Sequence, residues 1–189
     1  MNTKLRNVLL LLAVLAPLAA LFWPSEGQIA VKNGALSGIT TMPSYWPIGE
    51  LTMRSNATAT VINSAGVYTN MAGTTVLSSL STGFDMPQNN RLRYTNSTTA
   101  TMHIACTISY SVAAGSNQEL RAQVWKNGTN IIGSEIRDTC GNSSDTESTA
   151  IHTSTTMSQN DYIELFITNQ SAANNFTIST FNIFALGMR

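Results

Sequence analysis

The sequence predicts an all-β fold, a sandwich or barrel of antiparallel strands that follows an apolar amino-terminal helix and a linker. Three observations predict it. Beyond Glu50 the chain consists of short β-rich runs punctuated by Gly, Asn and Asp at intervals of roughly ten residues. Several of those runs alternate apolar and polar side chains with period two. No stretch after residue 50 carries a sustained helical or heptad period.

The elements follow in order. Lys4 and Arg6 precede the run Val8 to Trp23, which contains no charged residue and only Pro17 as a helix-disturbing one. This is the pattern of a secretory signal or a signal anchor, carried by Leu9, Leu10, Leu11, Leu12, Leu15, Leu18, Leu21, Phe22 and Trp23. Sixteen helical residues span about 24 Å, short of the roughly 30 Å of a bilayer core. Small residues at Ala19 and Ala20 are followed by bulky ones, a poor cleavage site. An uncleaved anchor in lipid or in a protein socket, a cleaved signal, and an apolar helix bundled at a trimer axis all fit residues 1–23. Residues 24–47 hold Pro43, Pro47 and several glycines and read as a linker or stalk, with one short strand around Gln28-Ile29-Ala30-Val31. The third segment, 48–189, is the β domain.

Within it, Met102, Ile104, Cys106, Ile108 and Tyr110 alternate with His103, Ala105, Thr107 and Ser109, which places the first set on a buried face. Leu120, Ala122 and Val124 define a second strand, with Arg121, Gln123 and Trp125 pointing the other way. Asn127-Gly128 then supplies a type I′ hairpin signal, and a strand through Ile131 and Ile132 should pair back. Ile163, Leu165 and Ile167 form another strand, entered through the turn Ser158-Gln159-Asn160-Asp161, where Asp161 should supply turn hydrogen bonds. From Phe176 to Met188 apolar groups occupy both parities: Phe176, Ile178, Phe184, Leu186 and Met188 on one, Phe181, Ile183 and Ala185 on the other. Such a strand is central and covered twice, and the second cover is most economically another copy of the chain. Tyr162, Phe176, Ile178, Phe181, Ile183, Phe184 and Leu186 are the expected trimer-interface residues.

Composition bounds the function. The 189 residues include ten basic and ten acidic side chains, so no net field draws the chain to nucleic acid. Charged residues make up 11%, less than half the usual share of about 25%. Ser, Thr and Asn take their place with 63 residues, which suits an exported or virion-surface β protein better than a cytosolic enzyme.

Candidate chemistry is sparse. His103 and His152 lie in no nucleophile or metal motif and read as surface or interface histidines. Asp138, Asp145 and Glu147 flank the polar run Cys140 to Ser144 and offer oxygen ligands for Ca²⁺, but their spacing fits no EF-hand and a solvated loop is the preferred reading. A Cys106–Cys140 bridge would have to join a core strand to that loop. Trp125 with Tyr94 or Tyr162 could form a platform for a host glycan; core or trimer contacts are the preferred roles. No carboxylate pair is singled out for glycoside cleavage. No cofactor and no enzymatic activity are expected.

The order of motifs resembles a known family. Leu120-Arg121-Ala122-Gln123-Val124-Trp125-Lys126-Asn127-Gly128, then Asn160-Asp161-Tyr162-Ile163-Glu164-Leu165, then an apolar last strand, is similar to the C1q/tumour-necrosis-factor (TNF) jelly roll. Gly49 to Met53, Asn56 to Ile62, Ala72 to Thr75 and Arg91 to Asn96 resemble, more narrowly, the jelly-roll modules of bacteriophage and other DNA-virus virions, and Val31 to Thr40 is similar to the linkers that precede them. The resemblance spans roughly residues 48–188. It implies an antiparallel jelly-roll sandwich that assembles as a homotrimer, with outer loops used for display or attachment. Three functions follow as expectations: a virion surface decoration or fibre that docks on a capsid or tail protein through its amino-terminal helix, a host-binding tail-fibre tip, and a membrane-anchored exported adhesin or lectin.

Overall fold

The computed structural model describes residues 31–32, 35–36, 46–143 and 145–188. The chain divides into two units, Met1–Ser44 and Tyr45–Arg189. In the first, β1 (Val31–Lys32) pairs antiparallel with β2 (Ala35–Leu36). The expected short strand thus falls partly at Val31, while the helix expected over residues 1–23 lies outside the described residues, together with all nine of its anchor side chains.

The second unit is all-β, and no helix occurs among the described residues. One sheet has the order β12 (Glu147–Met157), β8 (Ala100–Val112), β14 (Phe176–Met188), β3 (Ile48–Met53) and β5 (Val76–Leu77). The other runs β10 (Thr129–Asn130), β9 (Ser116–Lys126), β13 (Tyr162–Asn169), β7 (Leu92–Tyr94) and β6 (Phe84–Asp85). Off that path, β11 (Ile136–Asn142) pairs with β9, and β4 (Thr69–Asn70) with β13. Neighbouring strands pair antiparallel throughout.

The core lies between the two sheets. Met102, Ile104, Cys106, Ile108 and Tyr110 of β8 are buried, as their alternation requires, and so are Leu120, Ala122 and Val124 of β9 and Ile163, Leu165 and Ile167 of β13. Asn127 and Gly128 both have positive φ, 52° and 75°, the backbone that a type I′ turn demands.

Three readings are corrected. The strand expected through Ile131 and Ile132 ends at Asn130: a turn closes from Ser134 N–H to Ile131 O and leaves Ile132 92% exposed. Cys140 is not in a loop but on β11, fully buried, and both cysteines are free.

The third correction concerns β14, which is central as expected. A bulge between Ile178 and Thr180 shifts the parity. Phe176 and Ile178 therefore face the same core as Phe181, Ile183 and Ala185, and all five are buried within one chain. Of the expected interface set, Phe176, Ile178, Phe181 and Ile183 are enclosed by the chain's own two sheets and leave no surface for a partner. Tyr162 lies on the other sheet. Phe184 and Leu186 alone face outward from β14, half-buried, beside the exposed Met188.

Candidate interaction surfaces

The two outer faces of the sandwich differ in charge. On the five-stranded sheet β14 presents Phe184, Leu186 and Met188 and β8 presents His103, Ala105 and Thr107. Ser148, Ala150, His152, Ser154 and Thr156 of β12 continue the face on one side. On the other, Val76 of β5 is 63% exposed. Glu50 of β3 accepts a hydrogen bond from Asn182 Nδ2 at 2.6 Å. A shallow open groove, with Thr107, Ser109, Ser148 and Thr180 among its lining residues, runs over β8, β12 and β14.

The seven-stranded sheet and its turns carry all five ion pairs found among the described residues: Arg91–Glu164, Arg93–Asp85, Arg121–Glu119, Lys126–Asp161 and Arg137–Glu135. Tyr68, Trp125, Tyr162 and Phe166 gather on the same side. Trp125 does not meet Tyr94 or Tyr162, because the β9–β13 register sets it opposite Glu164. It stacks instead on Phe166, with ring centroids 4.2 Å apart and planes 16° from parallel, and Tyr68 lies 6.0 Å away. Tyr94 is buried against Phe84. Tyr162 lies under Arg91, whose guanidinium carbon is 3.8 Å from the ring centroid.

Arg91 also bonds Glu164, which is 2% exposed and accepts a further hydrogen bond from Asn70 Nδ2. Tyr68 donates its hydroxyl to Glu135 at 2.7 Å. Burial, then that bond, push the Tyr68 phenol far above its usual range, and the same bond holds the Glu135 carboxyl below its own.

Asp161 performs its expected turn role. Its Oδ2 accepts from the Ser158 backbone N–H and its Oδ1 from Asn127 Nδ2, while Lys126 Nζ lies 3.1 Å away. Burial pushes its carboxyl up, but these bonds and the lysine outweigh it and hold it low.

The Ca²⁺ candidates do not converge. Asp138 sits on β11, Glu147 on β12, and Asp145 accepts from Asn142 Nδ2 in the turn between them. Burial, then the neighbouring Asp138, push the Tyr110 phenol far up. No group of three His, Cys, Asp or Glu comes together among the described residues in a way that could hold a metal ion. Burial likewise raises the Cys106 thiol well beyond neutral pH, which leaves it unreactive. The histidines meet in a manner that the sequence did not announce: His152 Nδ1 lies 3.4 Å from His103 Nε2.

No protein-family model matches the sequence, and no curated protein matches it. Solved structures do. The crystal structure of murine APRIL superposes with a TM-score of 0.51 at 13% identity, covering 75% of this chain and 99% of that one. Vertex protein P5 of phage PRD1 superposes with a TM-score of 0.47 at 15% identity, over 76% of this chain and 97% of that one. With two antiparallel sheets enclosing one core and this likeness to APRIL, the fold of the chain is a TNF/C1q-like jelly roll.

Proposed function

We propose that the protein is a non-enzymatic structural protein of a virion surface, a homotrimeric decoration or fibre that projects its jelly roll and attaches through residues 1–23. The observation that carries the reading is the asymmetry of the two outer faces. Five ion pairs and most of the charge lie on the seven-stranded side, four of the pairs open to water at little cost and the fifth, Arg91–Glu164, closed over the buried Glu164. The five-stranded side offers Phe184, Leu186, Met188, Ala105 and Val76 among Ser and Thr, with Glu50 tied to Asn182 beside them. An apolar face of that kind is covered in an oligomer, and covering large side chains contributes about 1.5–3 kcal/mol each. The sequence resemblance to virion jelly-roll modules supports the setting, as does a surface of Ser, Thr and Asn in place of charge.

Light scattering on the intact chain tests the assembly, with the mass of three chains expected and a monodisperse monomer at micromolar concentration against it. Mass spectrometry of purified particles tests the location. An intact-mass measurement tests the attachment: a native chain that begins near Ser25 makes residues 1–23 an export signal instead of an anchor.

A second reading, host binding at a fibre tip, is favoured by Tyr68, Trp125 and Phe166 beside Arg91 and Glu164. Aromatic faces next to charged hydrogen-bonding groups suit a sugar. Loss of glycan-array binding in Trp125→Ala, with folding intact, is its test. A membrane-anchored adhesin is distinguished from both by detergent extraction of the protein from cell envelopes.

A further inference from the structure

We propose that His103 and His152 together form a binding site for a divalent transition-metal ion of the imidazole-preferring class, Zn²⁺, Ni²⁺ or Cu²⁺, on the outer face of the five-stranded sheet. The placement is set by backbone. β8 and β12 pair without a bulge through eleven consecutive positions, from Ala100↔Met157 to Tyr110↔Glu147. Within that ladder His103 is opposite Ser154 and His152 opposite Ala105, so the two histidines stand on a diagonal of one face.

The ring geometry points to a shared ion. His152 Nδ1 and His103 Nε2 are 3.4 Å apart, with ring centroids at 5.5 Å and planes inclined by 33°. That separation is long for an N–H···N bond. It is the separation that a tetrahedral Zn²⁺ imposes, where two nitrogens each about 2.0–2.1 Å from the metal lie about 3.3–3.4 Å from one another; the right angles that Ni²⁺ and Cu²⁺ favour bring them to about 2.9 Å, so these two require a small closing of the rings. Either imidazole nitrogen can serve as a ligand. Neither ring has another hydrogen-bond partner among the described residues, so no competing bond has to be given up.

The surroundings admit a cation. The groups that face the pair are Thr101, Ala105 and Thr107 on β8, Ala150, Ser154 and Thr156 on β12, and Phe184 and Leu186 on β14, none of them charged. No lysine or arginine on these strands repels the ion. Two protein ligands leave the other positions to water, and this makes the site one of moderate affinity and selects metals that favour imidazole over oxygen.

Calorimetric titration of the intact chain with Ni²⁺ and with Zn²⁺ at pH 7.5, with Mg²⁺ as control, tests the site. One ion per chain is expected, with no response to Mg²⁺ and affinity at least tenfold weaker in both His103→Ala and His152→Ala. Both side chains face outward from the sheet of a single chain, on the face that the proposed assembly covers, so circular dichroism and light scattering together verify that the variants keep the parent's fold and mass. Absence of binding, unchanged affinity in both variants, or loss in one variant alone overturns the proposal, the last because it describes a single histidine.

Discussion

Ile178 and Phe181 point into the same core although they are an odd three positions apart, because Ser179 is bulged out of the β14 ladder. The bulge is held from outside the strand. Asn56 donates Nδ2 to the Ile178 carbonyl at 2.9 Å and its backbone N–H to the Ser179 carbonyl at 3.1 Å. Ser179 Oγ in turn donates to the Ser109 carbonyl. Deleting Ser179 removes the extra residue, so Phe176 and Ile178 stay on the same face as Phe181, Ile183 and Ala185 in a regular ladder, and what is lost is the bonding of the bulge to Asn56 and Ser109. The deletion is expected to keep a cooperative thermal transition, read by circular dichroism, at a lowered midpoint. Phe181→Ala, which empties part of the core, should cost more, about 3–5 kcal/mol, and a deletion that abolishes the transition would contradict the register.

The ion pairs should rank by burial. Arg91→Ala strips the guanidinium from Glu164, which is almost fully enclosed and keeps only Asn70 as a partner. A buried carboxylate left so poorly compensated costs on the order of 3 kcal/mol. Arg93→Ala breaks a bidentate bond to Asp85, but both groups reach solvent, and a much smaller loss is expected. Urea denaturation of the two variants measures the difference; equal losses would contradict it.

The same contrast between centre and edge decided what could be read from sequence. β8, β9 and β13 are flanked on both sides, and their inward residues are apolar at every second position, so period two is plain. β11 and β12 are edge strands, with Ser, Thr and charged groups at three of seven and seven of eleven positions. Only Ile136 and Cys140 of β11, and Ile151 and Met157 of β12, turn toward the core with apolar groups. That is why Cys140 reads as loop. The bulge leaves no trace either, since a serine between Ile178 and Thr180 resembles any outward position. The side-chain pairs at the surface depend on register across strands far apart in sequence. Trp125 meets Phe166, and His103 meets His152, only once β9–β13 and β8–β12 are aligned.

Acid should weaken the fold through three carboxylates. Asp85, held by the Arg93 bond, Glu135, held by the Tyr68 hydroxyl, and Asp161, held by its turn bonds, all have folded pKa values below their ordinary ones. A group lowered in the folded state contributes stability that is complete above its unfolded pKa, about 4, and is lost as pH falls through its folded value. The midpoint of thermal unfolding should therefore be flat from neutral pH to about pH 5 and drop steadily below about pH 4. Asp161→Asn removes one of the three titrating groups, so its midpoint is expected to start lower and to fall less steeply with acid.

Two glycines should respond for different reasons. A Cβ on Gly49 would stand 2.5 Å from the Phe84 ring, inside the sandwich, so Gly49→Ala must displace a packed aromatic and should cost about 2–3 kcal/mol. A Cβ on Gly128 meets nothing within 4 Å, and Gly128→Ala loses only the preference for positive φ, about 1 kcal/mol. Chemical denaturation of both variants checks the order.

The assembly face can be separated from the core by placing the same charge on either side of β14. Phe181 is enclosed within one chain, and a carboxylate there has no partner and no water, so Phe181→Asp should fail to fold. Leu186 stands opposite His103 on the outward face and retains access to solvent in an isolated chain. Leu186→Asp should therefore leave the β-sheet circular dichroism spectrum and a cooperative melt intact. Within an assembly three such carboxylates would be brought together in an apolar contact, where desolvation and mutual repulsion both oppose association. Light scattering should then give the mass of one chain for Leu186→Asp and of three for the parent. A variant that folds and still forms the parent's oligomer would move the contact away from the five-stranded sheet, and the charged aromatic face around Trp125 would become the surface to mutate.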